Sequence, residues 1–214
     1  VTAMGGTGSD RLWDSTTDSA GNTYIVGEFS GTANFGNKKL NSSGASDVFV
    51  AKLNSSGTVQ WAQRAGGSEA DLGYSVALGP SGELYVTGYF AGSAKFGNTT
   101  LKSAGGNDAF LTRLNTSNGN FQWAQKVGGS GDDRGTAVEV DPSGRVIVTA
   151  GLNGGNFLYA GGGSMQYGAS QLFVGQFTSS GSQQWTRTVS GTGMANATFD
   201  GLDTDAAGNI YVAG

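Results

Sequence analysis

One stretch of this chain recurs at a fixed interval. Val59-Gln60-Trp61-Ala62-Gln63, with Gly66-Gly67 behind it, returns as Phe121-Gln122-Trp123-Ala124-Gln125 before Gly128-Gly129. It returns again, altered, as Gln183-Gln184-Trp185-Thr186-Arg187 before Ser190-Gly191. The tryptophans lie about 62 residues apart, a period that marks a repeat architecture. A unit of that length cannot bury its apolar face alone and must stack on its neighbours.

Within one period the sequence reads as four strands. Tyr74-Ser75-Val76-Ala77-Leu78 and Thr136-Ala137-Val138-Glu139-Val140 alternate in strand fashion. A turn follows in each copy: Asp18-Ser19-Ala20-Gly21, Gly79-Pro80-Ser81-Gly82, Asp141-Pro142-Ser143-Gly144 and Asp205-Ala206-Ala207-Gly208. An Asp there can accept from backbone N–H groups two residues on, and Gly supplies a positive φ. The second strand is rich in β-branched and aromatic residues, as in Leu84-Tyr85-Val86-Thr87. An excursion comes next. Phe35-Gly36-Asn37 and Phe96-Gly97-Asn98 predict tight hairpins there. The third strand starts at Asp47, Asp108 and Gln171, and the Trp strand ends the unit. The first-strand copy Trp13-Asp14-Ser15-Thr16-Thr17 stands out as much more polar than its counterparts.

Four strands per unit without helices predict an all-β fold, a β-propeller of four-stranded antiparallel blades. The blades span 5–65, 66–127 and 128–189, with a partial blade at 190–214; residues 1–4 end a preceding outer strand. These about three and a half blades would belong to a larger propeller, or to a ring closed by a second copy. The Trp strand, last in its unit, is expected outermost, with its indole turned toward the next blade.

Composition narrows the function. Gly is abundant, 39 of 214 residues, and Pro is scarce, only 2. That pattern fits many tight turns rather than a disordered linker. Cys and His are both absent. No disulfide framework, thiol nucleophile, Ser-His pair or ordinary zinc site is available. A net charge of −4, with only 13% charged residues, speaks against a nucleic-acid partner. No apolar run approaches the ~18 residues of a membrane helix, so no membrane insertion is expected.

The third copy resembles a known family. Gly129-Ser130-Gly131-Asp132-Asp133-Arg134-Gly135-Thr136-Ala137-Val138, running on through Asp141-Pro142-Ser143-Gly144 to Val148-Thr149, is similar to the SBBP bacterial β-propeller repeat. Gly79 to Phe90 and Asp108 to Leu114 resemble it too. The resemblance implies a propeller, by analogy of about seven blades, in a secreted or cell-surface bacterial protein. It implies no defined activity and transfers no catalytic residue. Gln171 departs from the Asp47 and Asp108 pattern, and Ala197 stands at the position of Asp133.

Chemistry is expected on the face that gathers the Gly-Gly loops and the excursions, because loops on a rigid scaffold carry function. The candidate ligand-binding residues are Trp13, Asp132, Arg134, Tyr159, Met165 and Tyr167, with a protein or a glycan at a surface as partner. The irregular loop from Phe157 to Tyr167 is expected to set specificity. The recurrent Asp10, Asp71 and Asp133 are read as acceptors for backbone N–H groups at the strand entries. Asp132 and Asp133, as neighbours on an extended chain, do not make the facing pair a glycosidase needs. Asp200, Asp203 and Asp205 form an oxygen-rich cluster, a candidate for structural calcium; no other cofactor is expected. The leading expectation is a non-catalytic structural or adhesive module of a secreted or cell-surface bacterial protein. The alternative is a lectin-like propeller that binds glycan on its loop-rich face.

Overall fold

The computed structural model describes residues 3–158, 164–190 and 201–214, with side chains outside 155–158, 164–170 and 190. These residues are all strand and turn, and every strand ladder is antiparallel. The chain opens with β1 (Met4–Gly6) and then builds its first unit. That unit holds β2 (Asp10–Thr17), β3 (Thr23–Phe29), the short hairpin β4 (Thr32–Phe35) and β5 (Lys38–Asn41), then β6 (Asp47–Leu53) and β7 (Val59–Gly67). The second unit is β8 (Leu72–Leu78), β9 (Glu83–Phe96), β10 (Thr99–Asn115) and β11 (Phe121–Val127). The third is β12 (Arg134–Val140), β13 (Val146–Leu158), β14 (Ser164–Phe177) and β15 (Gln183–Ser190). A final pair, β16 (Gly201–Thr204) and β17 (Ile210–Ala213), repeats the first two strands of a unit.

Each unit is a four-strand meander, with order β2-β3-β6-β7 in the first and β12-β13-β14-β15 in the third. The turns are those the sequence predicts. Asp18 Oδ1 accepts from the N–H groups of Ala20 and Asn22 at 3.0 and 2.9 Å. The excursion closes in two residues, Phe35 opposite Lys38, with Gly36 at φ +59°. In the second unit the excursion is continuous with the flanking strands, so β9 and β10 run long.

One pairing had no sequence signal. Gly66-Gly67, at the end of β7, pairs with Lys95 and Ala94 in the excursion of the next unit. Gly5-Gly6 in β1 does the same to Asn34 and Ala33. Whereas β1, β4 and β5 form a three-stranded sheet of their own, the β7–β9 joint stitches the first two units into one strongly curled eight-stranded sheet. The chain needs Gly67 there because a β-carbon would collide with the Ser93 carbonyl oxygen.

The core lies between units as well as inside them. One cluster joins Tyr24, Val26, Val50 and Trp61 of the first unit to Val86 and Phe110 of the second. Another joins Tyr85 and Leu111 of the second to Val148 and Phe173 of the third. The excursion phenylalanine caps each of the first two units: Phe35 lies 4.7 Å from Phe49 and 6.2 Å from Phe29. Phe96 repeats this with Phe110 and Phe90 at 4.7 and 6.3 Å.

The first strands line up across units: β8 packs beside β2, β12 beside β8 and β16 beside β12. Polar side chains hold that alignment. Asp14 Oδ2 accepts from Val76 N–H at 2.9 Å, and Ser75 Oγ at the same repeat position accepts from Val138 N–H at 3.2 Å. Part of the polarity of β2 is therefore structural, since Asp14 reaches across to the neighbouring unit.

The tryptophans behave as expected in direction but not uniformly in depth. Trp61 Nε1 donates to the Thr116 carbonyl at 3.0 Å, and Trp123 Nε1 to the Ser179 carbonyl at 3.3 Å. Both indoles thus turn to the third turn of the following unit. Trp61 is buried, whereas Trp123 and Trp185 are half-buried. The three indoles, at one repeat position, are thus not buried to the same depth.

Candidate functional site

The first strand of each of the three full units carries a β-bulge near its start: the register shifts at Leu12/Asp14, Gly73/Ser75 and Gly135/Ala137. The bulged residues are Trp13, Tyr74 and Thr136, one repeat position filled three ways. A bulge re-aims a side chain out of the sheet. Here it aligns rings from successive units. Trp13 meets Tyr74 edge-on, centroids 5.1 Å apart, and Tyr74 leans on Tyr89 at 5.7 Å. The Arg134 guanidinium lies over the Tyr89 ring at 5.0 Å. Beside the first strand, Arg11 approaches Glu28 at 3.9 Å.

Trp13 is 43% exposed, Tyr74 and Tyr89 are half-buried, and Arg134 is exposed. Burial pushes the Tyr89 phenol up to about 12 and raises Tyr74 as well, Arg134 pulling the other way. Both phenols are therefore neutral donors at physiological pH. Successive rings stand at 78° and 54° to one another, so the row offers ring edges and phenol hydroxyls beside the exposed Trp13, flanked by a guanidinium and a carboxylate. Such a surface can pack on a small apolar patch while bonding hydroxyls around it.

Two of the sequence-predicted residues, Trp13 and Arg134, belong to this row. Asp132 does not: its Oδ1 accepts from Asn107 N–H at 2.9 Å, bracing a neighbouring loop. Tyr159 and the side chains of Met165 and Tyr167 lie outside the described residues, as does the stretch 159–163 of the irregular loop assigned to specificity. The backbone around it pairs Gly155–Leu158 with Ser164–Tyr167. Sequence reasoning missed Tyr74 and Tyr89. Alignment of Trp13 with Tyr74 at a bulge position was the available signal for the first; nothing local distinguishes Tyr89 from a core residue.

The recurrent aspartates do what short acidic residues at turns do. Asp71 is fully buried and accepts from Gly67 N–H at 2.7 Å and Ala91 N–H at 3.2 Å. Asp133, 1% exposed, accepts from Gly129 N–H and from Asn153 N–H at 3.0 Å. Asp10 accepts from Gly6 N–H at 2.6 Å. Asp132 and Asp133 consequently serve different backbone groups and do not face one another.

Across the same joints stand Asp47 and Asp108, both fully buried at the start of the third strand. Arg64 pairs with Asp47 Oδ2 at 2.6 Å, and Lys126 lies 3.8 Å from Asp108 Oδ2. The third unit has Gln171 and Thr188 at these two places, so acid and base are replaced together. Losing only one partner would leave a buried charge uncompensated.

The calcium reading fits poorly where it can be followed. Both Asp205 oxygens are engaged as a turn cap, Oδ1 by Ala207 and Asn209 N–H and Oδ2 by the Asn209 amide and the Tyr211 hydroxyl. Asp203 Oδ1 accepts from Thr204 N–H at 2.8 Å, and Asp200 lies outside the described residues. Among the described residues no group of three or more acidic side chains is placed to hold a metal ion. None of their helices is long and apolar enough to cross a membrane. No protein-family model matches the chain, and no curated protein matches it.

Proposed function

We propose that this chain is part of a β-propeller of the SBBP type and serves as a non-catalytic adhesive module of a secreted or cell-surface bacterial protein. Its recognition surface is the aromatic row, and its ligand is a glycan. The row Trp13–Tyr74–Tyr89 closed by Arg134 carries this reading. Three rings drawn from two successive units meet at steep angles in one row, and bulges at equivalent positions aim two of them.

The propeller reading is supported by first strands aligned from unit to unit and by joints that repeat at Gly5-Gly6 and Gly66-Gly67. The non-catalytic reading is supported by the absence of Cys and His and by the use of Asp71 and Asp133 as backbone acceptors.

The test is a glycan array probed with the chain and with Trp13→Ala and Arg134→Ala. The reading expects a defined set of bound glycans, lost in Trp13→Ala and weakened in Arg134→Ala. Binding unchanged in both variants, or no binding at all, overturns the glycan assignment.

A further inference from the structure

Gly66 and Gly128 hold one repeat position where one unit meets the next, the first inside a paired strand joint and the second just past β11 without such pairing. At each joint two buried carboxylates come together with similar partners. At the first, Asp47 Oδ2 accepts from Ser43 N–H at 2.8 Å and from Arg64. Asp71 Oδ2 accepts from Gly67 N–H and Oδ1 from Ala91 N–H. Asp47 Oδ1 is left buried without a partner. At the second, Asp108 Oδ2 accepts from Ala104 N–H beside Lys126, and both Asp133 oxygens accept from backbone N–H groups. Asp108 Oδ1 is left in the same way.

The unused oxygen lies near the other carboxylate. A β-carbon on Gly66 would sit 2.6 Å from Asp47 Oδ1 and 2.7 Å from Asp71 Oδ2, so both oxygens converge on one spot. Asp108 Oδ1 and Asp133 Oδ2 converge likewise on Gly128. Each joint therefore holds two buried carboxylates against one cation, and it lacks one donor. Glu69 adds negative charge near Asp71, and Asp132 does so near Asp133. Tyr89 also faces Asp71, as a neutral phenol.

We propose that each joint binds one proton between its two carboxylates, and that this proton tightens the stack of units in acid and is lost as the medium turns alkaline. A proton on Asp47 Oδ1 donates to Asp71 Oδ2, and one on Asp108 Oδ1 donates to Asp133 Oδ2. One remaining oxygen per joint suits a proton. Calcium would need roughly six to eight oxygen ligands. Burial raises all four groups, Asp71 to about 7 and Asp108 to about 6. The third unit carries at this place the amide of Gln171, which keeps a donor and no charge.

The sign follows from the raised values. Against an unfolded value near 3.8, the stability contributed is complete below that pH and is lost as pH rises through about 6 to 7. The experiment is urea unfolding of the chain from pH 4.5 to 8.5. It is repeated on Asp108→Gln combined with Lys126→Thr, which copies the third unit's own pairing. The wild-type midpoint is expected to fall across that window, and the double variant to keep about half of the fall, one joint of two. An equal fall in both proteins, a midpoint that rises with pH, or calcium restoring the midpoint at pH 8 overturns the proposal. Should the double variant not fold, carboxyl carbon resonances of the wild type decide. Two or more aspartates titrating above about pH 5 support the proposal, and none doing so overturns it.

Discussion

β2 and β8 are the same strand of the repeat, and they live in different surroundings. β8 lies between β2 on one side and β12 on the other, and Leu72, Val76 and Ala77 are buried. Among the first strands β2 packs on β8 only, and its Leu12 and Trp13 are exposed where the matching Gly73 is buried and Tyr74 half-buried. The backbone geometry is nonetheless the same, down to the bulge after Leu12 and after Gly73. Burial is thus set by the neighbouring unit, whereas strand, bulge and ring direction are set within the unit. That division is what a quasi-one-dimensional stack requires, and it leaves Trp13 where packing constrains it least.

The largest break in the comparison is expected from the outer strands. Trp61→Ala removes a buried indole wedged under the next unit's turn and should cost about 3–5 kcal/mol in urea unfolding. Trp123→Ala removes a half-buried one and should cost clearly less. Equal costs would mean that the two joints are energetically alike despite their geometry.

Next come the strand entries. Asp71→Ala strands the N–H groups of Gly67 and Ala91, at about 1–3 kcal/mol for each buried donor left unsatisfied. Asp10→Ala strands only that of Gly6, so its effect should be smaller. Unfolding midpoints of the two variants at pH 5 check the order. The smallest effect belongs to the row itself. Trp13→Ala should leave stability within about 0.5 kcal/mol while abolishing glycan capture. A large loss of stability would make Trp13 a packing residue and sharpen the contrast with Tyr74 away.

Much of the fold was legible because it is repeated. Turn residues such as Asp141-Pro142-Ser143-Gly144 and Asn54-Ser55-Ser56-Gly57 announce themselves three or four times, and apolar alternation lies between them. The stitching of β7 to β9 was not legible, because Gly66-Gly67 has no side chain to report its partner. The site was legible only in part. Trp13 and Arg134 stood out as polar-loop neighbours, but Tyr74 is aimed by a bulge and Tyr89 is brought in by strand pairing with Leu72. Neither effect leaves a trace in residue spacing. The paired loss of Asp and base at Gln171 and Thr188 was visible in the sequence only on one side, since the register that opposes them comes from the sheet.

The central claim, that the units turn about a common axis, can be measured in solution. The chain has no Cys, so spin labels can be placed at Ala20→Cys, Ser81→Cys and Ala207→Cys without background. These are equivalent, exposed positions in the first, second and fourth copies of one turn. In a ring of about seven blades, the distance from Ala20 to Ala207 should be about 2.2 times that from Ala20 to Ser81. A ratio near three, the value for a straight stack of about equal steps, would contradict the propeller.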